Sequence, residues 1–538
     1  MKDIYIKSCF SLFLFIVGFK GIAQQTDKLT PFILIVQPII VQSDEGADPA
    51  SMAIPENLVD YAYSRAEVDF HFLEPIFLNN TKARDGLINL DSIVRIADKE
   101  GYLKGQNDIV NMFFVNAVDG HKGPLGRGMM GGNITFIALG NDSVKSNENL
   151  EAFVIAHEVG HNLSLTHAID DENVPDSVPN IQGDGDFEDR INPKYSLNQY
   201  QIDIVQKSPL VHPRVDFLNT ERAAKAILDE SYEPYFSQLQ IREIEAFTNS
   251  EVTTTNLDKA HEYAKEKFAL AVTDFSEREK KCISFVVDKI TAILLENDIG
   301  LMAYQPWRFI KVKNWLCGGF AHTRGTYIIL SQRHIDHLSE TWNDNMTAEE
   351  ERILLEKMGA LLVHEQMHSL QRTFKSKFEN LYTEYWNFTK AHVLNDSIIR
   401  KDQVSNPDAP IAEWLIANPK DANSFYWVRT LFKETEGIPV MGKDFADKVF
   451  VVKKINGKFS TVKSENSNLV YTNLDSIDFY TNAFPTSRGI DHPNEISAYM
   501  FSDYFKSLFS NTKPFNETNG KSLKNSDLFI QWIKKEMK

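Results

Sequence analysis

The sequence predicts an α+β chain of two domains, each a small twisted mixed sheet packed on one buried helix, joined by a helical connector. Three observations predict it. At 538 residues the chain is long enough for two or three separate cores. Each half alternates strand-like apolar runs with one apolar helical run, and each of those helical runs carries His-Glu-x-x-His. Between the halves, residues 220–270 are highly charged and patterned for helix, with a polar break at 248–255.

A formal net charge of −17 argues against a nucleic-acid partner, which would meet a basic face. At the amino terminus Lys2 and Lys7 precede an apolar run over 9–19, and Gly21, Ile22 and Ala23 stand before Gln24. Residues 1–23 therefore read as a secretory signal peptide cleaved near Ala23, since the run is too short to span a bilayer comfortably. No later stretch is apolar enough to span, so the expectation is a secreted or periplasmic protein with no membrane anchor after cleavage. Cys282 and Cys317 then remain. A disulfide between them and two buried thiols are both open, and their spacing matches no zinc pattern.

The first domain is read at 30–215. Strands are expected at 31–41, 68–78, 107–118 and 133–139, with a helix at 56–66 and a glycine-rich turn at 123–132. A helix over 147–163 follows. On it His157 and His161 stand one turn apart on the same face, where both imidazoles reach one cation. Glu158 points partly sideways, toward a water on that cation. His167 joins them only where the helix stops and the chain turns back. Three neutral imidazoles leave a four-coordinate zinc one open position, which is a catalytic arrangement. Burying these groups without a partner would be costly.

This pattern resembles the metzincin family of zinc peptidases, whose signature is His-Glu-x-x-His-x-x-Gly-x-x-His followed by a methionine turn. The resemblance covers about the first two hundred residues. It implies His157, His161 and His167 as zinc ligands, Glu158 as general base, and an edge strand near the glycine-rich turn that binds an extended peptide. Ser164 stands where the family has glycine, and Asn180-Ile181-Gln182 stands where Asn-Ile-Met is expected. Neither change removes a ligand; both bear on activity more than on metal binding. Residues 170–189 are acidic and rich in Pro, Gly and Asn, a composition open to calcium but better suited to a solvated loop. A helix at 195–205 and a short segment at 208–211 close the domain.

Residues 216–275 are the connector, and the second domain is read at 276–538, opening with a helix through 297. Its apolar helix carries His364, Glu365 and His368, again with the histidines one turn apart. No histidine lies six residues on, so a third ligand comes from elsewhere, and a glutamate on a later helix is the common solution. Glu384 and Glu495 are the candidates. Glu495 is preferred: it opens a helix after Pro493, and Ala498 leaves room for close packing.

This half resembles the gluzincin type of zinc peptidase over about residues 300–510, with its third ligand in a Pro-x-Glu-Ile-x-Ala segment. Residues 319–330 look like the edge strand before the zinc helix, and 406–410 like a loop before the third ligand. The resemblance implies His364, His368 and Glu495 as ligands and Glu365 as base. Elsewhere, Asn456-Gly457 marks a hairpin within 449–462. His322, His334, His337 and His392 read as ordinary histidines, and Tyr499 as a packed ring with an oxyanion role as the lesser alternative.

Together these readings predict a secreted metalloendopeptidase with two zinc ions, acting on peptide or protein. The alternative is a binding or scaffold protein on peptidase folds, with one or both sites inactive. A hydrolase of non-peptide amides stays open.

Overall fold

The first sheet is built around β1 (Phe32–Gln42), buried along almost its whole length as a near-continuous apolar run, broken at Gln37, requires of a central strand. The structure, a computed structural model, describes residues 30–538 apart from 106–107, 119–123, 140–146, 175–178, 184–189, 395–396, 465–468, 487, 511 and 516–523. The leader read at 1–23 thus lies outside the described residues.

β1 pairs in parallel with β2 (Val68–Phe72), β3 (Ile76–Asn79) and β4 (Val110–Phe114). The predicted single strand at 68–78 is therefore two, because Pro75 has no N–H to give the ladder. Beyond β4 lie β6 (Ile134–Ile137) and, antiparallel at the edge, β5 (Gly126–Gly128), formed inside the predicted glycine-rich turn. β7 (Val211–Pro213) pairs antiparallel with β1. Helices α1 (Glu56–Tyr63) and α3 (Glu148–Asn162) share one apolar core with the sheet. The opposite core takes α2 (Leu90–Lys99), a helix absent from the sequence reading, through Ile93 and Ala97. The predicted helix at 195–205 is divided. Asn198 caps α4 (Gln199–Lys207) in a reciprocal bond pair with Gln201, which sets a new start there.

The second sheet runs β11 (His322–Arg324), β12 (Tyr327–Ser331), β10 (Trp307–Val312), β8 (Val215–Phe217), with β9 (Val272–Thr273) also on β10. The segment read as a connector is bound into this sheet. It follows β8, ends in β9, and covers one face with α5 (Thr220–Ala226), α6 (Ile241–Thr248) and α7 (Leu257–Ala271). Its apolar residues Phe236, Ile244, Phe247 and Phe268 require such a surface. The other face carries α8 (Glu277–Glu296), α9 (Ala360–Thr373) and α10 (Pro493–Ser510) in the largest core. A third sheet contains the predicted hairpin, Phe445–Ile455 with Lys458–Thr461, turning at Asn456 and Gly457 with φ of 50° and 78°.

The halves meet through polar contacts. Asp108 pairs with Arg308 and accepts from the Tyr327 hydroxyl at 2.6 Å. His71 Nε2 lies 3.0 Å from Gln305 Oε1, and Gln305 Nε2 donates to Ser369 Oγ at 2.9 Å. Cys282 and Cys317 are buried free thiols. Among the described residues no helix is long and apolar enough to cross a membrane.

Candidate metal centres

Helix α3 begins at Asn147, whose side chain accepts the Leu150 N–H. It stops at Ser164, which takes the left-handed conformation with φ 70°. Leu165 N–H donates to Gly160 O and Ser164 N–H to His161 O, both at 2.9 Å, a Schellman closure that reverses the chain. That reversal returns His167 to the helix. The donor atoms of His157, His161 and His167 all lie within 4.8 Å of one another.

His157 Nδ1 lies 2.6 Å from Ile181 O and His161 Nδ1 2.8 Å from Leu165 O. A carbonyl only accepts, so each Nδ1 carries the proton and each Nε2 keeps its lone pair. The Asn180-Ile181-Gln182 turn therefore sits beneath His157, where Gln182 Nε2 also donates to the His157 carbonyl at 2.8 Å. Burial lowers His157 to about 4, against the Ile181 hydrogen bond.

Glu158 reaches the edge strand, where its Oε2 accepts the Gly128 N–H at 2.6 Å. Only glycine allows that approach. A Cβ at Gly128 would lie 2.0 Å from Glu158 O, and one at Gly126 2.6 Å from Glu158 Cγ. Burial raises the Glu158 carboxyl to about 7, with Gly128 N–H and Arg127 acting in the opposite sense.

At the second centre α9 presents His364 and His368, and the first turn of α10 delivers Glu495. His364 Nε2 and His368 Nε2 are 3.2 Å apart. Glu495 Oε2 lies 3.5 Å from the former and Oε1 3.7 Å from the latter. His368 Nδ1 donates to Gln371 Oε1 at 2.9 Å, which again leaves Nε2 unprotonated. Asn406 Nδ2 donates to Glu495 Oε1 at 2.6 Å. Burial would raise the Glu495 carboxyl, but His368, His364 and Asn406 hold it below the usual range. Glu384, the other candidate, is exposed on a separate turn.

Glu365 is buried beside this group. The Thr323 hydroxyl on β11 lies 3.1 Å from Glu365 Oε2 and 3.0 Å from Glu365 O, while Thr323 N–H donates to Asp408 Oδ1 at 2.6 Å. Burial, reinforced by Asp408 and Glu495, drives the Glu365 carboxyl well above its ordinary range. His364, Glu365 and Glu495 line a cavity of about 620 Å³ that Tyr499 also borders. The Tyr499 ring packs 4.4 Å from His364. Thr323, Gln371, Asn406 and Asp408 had no role in the sequence reading. Thr323, Asn406 and Asp408 lie in the segments 319–330 and 406–410 singled out there, but no local spacing ties them to Glu365 or Glu495.

Both donor sets suit zinc. The Nε2 lone pairs of His157, His161 and His368 are free of protons, and His167 at the first centre, and His364 with the Glu495 carboxylate at the second, complete donor sets of the kind a shared divalent cation takes. Among the described residues these are the two groups whose donors converge. Of the acidic segment weighed for calcium, 175–178 and 184–189 lie outside the described residues.

No family model matches this sequence, and no curated protein matches it. Solved structures do. An archaemetzincin from Methanopyrus kandleri is 9% identical over 32% of this chain and 94% of its own, with a TM-score of 0.22. Metalloproteinase-II from Bacteroides fragilis is 15% identical over 34% of this chain and 56% of its own, with a TM-score of 0.22. An archaemetzincin from Archaeoglobus fulgidus, complexed with malonate, is 12% identical over 32% of this chain and 99% of its own, with a TM-score of 0.20. These likenesses span about a third of the chain, and at such TM-scores they carry no argument about its activity.

Proposed function

We propose that the chain is an exported zinc-dependent peptidase that hydrolyses peptide bonds at the second centre and holds a second zinc at the first. The observation that carries this reading is Glu365, buried beside the converging His364, His368 and Glu495 and opening onto a 620 Å³ cavity bounded by an edge strand. His364, His368 and Glu495 would hold one ion, and His157, His161 and His167 the other. When bound, zinc supplies Lewis-acid chemistry, polarising a carbonyl and lowering the pKa of water.

Glu365 takes the proton of the attacking water and hands it to the leaving amine nitrogen. Its burial suits a carboxyl that must hold a proton between those two steps. Thr323 fixes the carboxylate from one side and is itself anchored on Asp408. β11 is buried and its outward Thr323 N–H is taken by Asp408, so the cavity walls, not strand pairing, hold the peptide. Glu158, aimed at edge strand β5, would serve the first centre in the same way. Export rests on the leader at 1–23.

The test is peptide cleavage by full-length, zinc-loaded protein carrying Glu365→Gln or Glu158→Gln. Glu365→Gln should lower cleavage by about 10²–10⁴-fold, with zinc content still near about two per chain. If neither change lowers cleavage, the enzyme reading is lost and a zinc-holding binding protein replaces it.

A further inference from the structure

The cavity at the second centre does not end at the zinc helix. Alternation along β11 sends Thr323 toward α9, where it meets Glu365, and sends His322 and Arg324 to the opposite face. On that face the same cavity is walled by Phe247, Cys317, Val404 and Met441, all part of the core under α6 or packed against it. Polar groups interrupt this apolar wall, among them His322 and Asp408.

His322 is 2% exposed. Its Nδ1 lies 3.1 Å from the Phe320 carbonyl and so carries the proton, which leaves Nε2 as an acceptor. Among the described residues that Nε2 has no hydrogen-bond partner. Asp408, 7% exposed, gives Oδ1 to Thr323 N–H. A buried acceptor without a donor is costly, and the missing donor must come from something that enters the cavity. Charge points to its sign. The Asp408 carboxylate acts directly on His322, so a cationic donor is favoured there over an anionic one.

We infer that this far side of the cavity is a specificity pocket that takes a lysine or arginine side chain of the peptide. The inference rests on the peptidase reading for the identity of the ligand. The cavity that holds Glu365 and Glu495 is continuous with this far side, so a side chain beside the cleaved bond enters between Cys317 and Met441. Its aliphatic stem lies on the apolar wall, and its charged end meets His322 Nε2 and the Asp408 carboxylate. His322 is thus a specificity residue, not one of the ordinary histidines its sequence context suggested.

The experiment measures binding apart from turnover. Fluorescent nonapeptides identical except for a central Lys, Arg, norleucine or Glu are titrated by polarisation into full-length, zinc-loaded protein carrying Glu365→Gln. Lys and Arg peptides should bind at least about tenfold more tightly than norleucine, with Glu weakest. Adding His322→Leu should bring Lys and norleucine to within about twofold of each other. Asp408→Asn keeps an oxygen for Thr323 N–H and removes only the charge, so it should lower the preference independently. Equal affinities in the parent protein overturn the inference, as does a preference that survives both changes. The unmodified protein is tested on the same peptides. Preference without any cleavage would sink the peptidase reading and leave the pocket standing; cleavage without preference would do the reverse.

Discussion

Gln371 Oε1 accepts the Nδ1–H of His368 at 2.9 Å, while its Nε2 donates to Asn494 O and Ser497 Oγ on the helix that delivers Glu495. One amide thus fixes the tautomer of one ligand and the position of another. Gln371→Leu should weaken zinc at the second centre by roughly 10- to 100-fold and leave the first centre unchanged. Competition against a chromophoric chelator reads both affinities in one titration. Two sites weakened alike would mean that the change acts on global stability instead.

Ser164 holds φ at 70° where the chain leaves the first histidine helix. An L-residue pays about 1 kcal/mol for that conformation and glycine pays almost nothing. Ser164→Gly should therefore stabilise the zinc-free protein by about 1 kcal/mol in chemical denaturation. A destabilised variant would show that the serine side chain makes a contact worth more than the backbone strain.

What was legible in the sequence was local. The two histidine pairs, the helix start near 147 and the Asn456-Gly457 turn each depend on residues within a few positions of one another, and the structure has each where it was read. Helix α2 was also written locally, in Asn89 as cap and in the spacing of Ile93 and Ala97, and was passed over. Other features have no local trace. Thr323 meets Glu365 across 42 residues and Asp408 across 85. The charged segment at 216–275 gave no sign that its apolar residues cover a sheet whose other strands lie beyond residue 300. Glu495 sits between these cases. It was preferred for its place in a helix, and only packing brings it beside His364.

Acid should act on the zinc-free second centre through His368. Burial, against the pull of Glu495, lowers this imidazole from 6.5 to about 4. Between those values the unfolded chain binds a proton at this residue and the folded one does not, so folding is disfavoured as pH falls through that window. His368→Gln removes the effect. The stability advantage of the zinc-free wild type over this variant should shrink by about 2–3 kcal/mol between pH 7 and pH 4.5, an upper figure at 1.36 kcal/mol per pH unit. Urea denaturation at the two pH values decides it, and a constant gap would mean that the imidazole takes up its proton alike in the folded and unfolded chain.

Asp108 governs the joint between the halves. Arg308 on β10 is 1% exposed, and its guanidinium is held by Asp108, by Thr326 Oγ1 at 3.2 Å and by the Tyr327 ring 4.1 Å away. Removing the carboxylate leaves a cation in the interior with no counter-charge in contact. Asp108→Ala should cost about 3–5 kcal/mol, because the penalty is that of an unpaired buried charge and not of one lost hydrogen bond. The double change Asp108→Ala with Arg308→Met should recover most of that loss, since it removes the charge along with its partner. Denaturation of the three proteins in parallel tests the argument. A loss under about 1 kcal/mol for Asp108→Ala would mean that water reaches Arg308 and that the halves are joined elsewhere, with the His71, Gln305 and Ser369 chain as the next contact to cut.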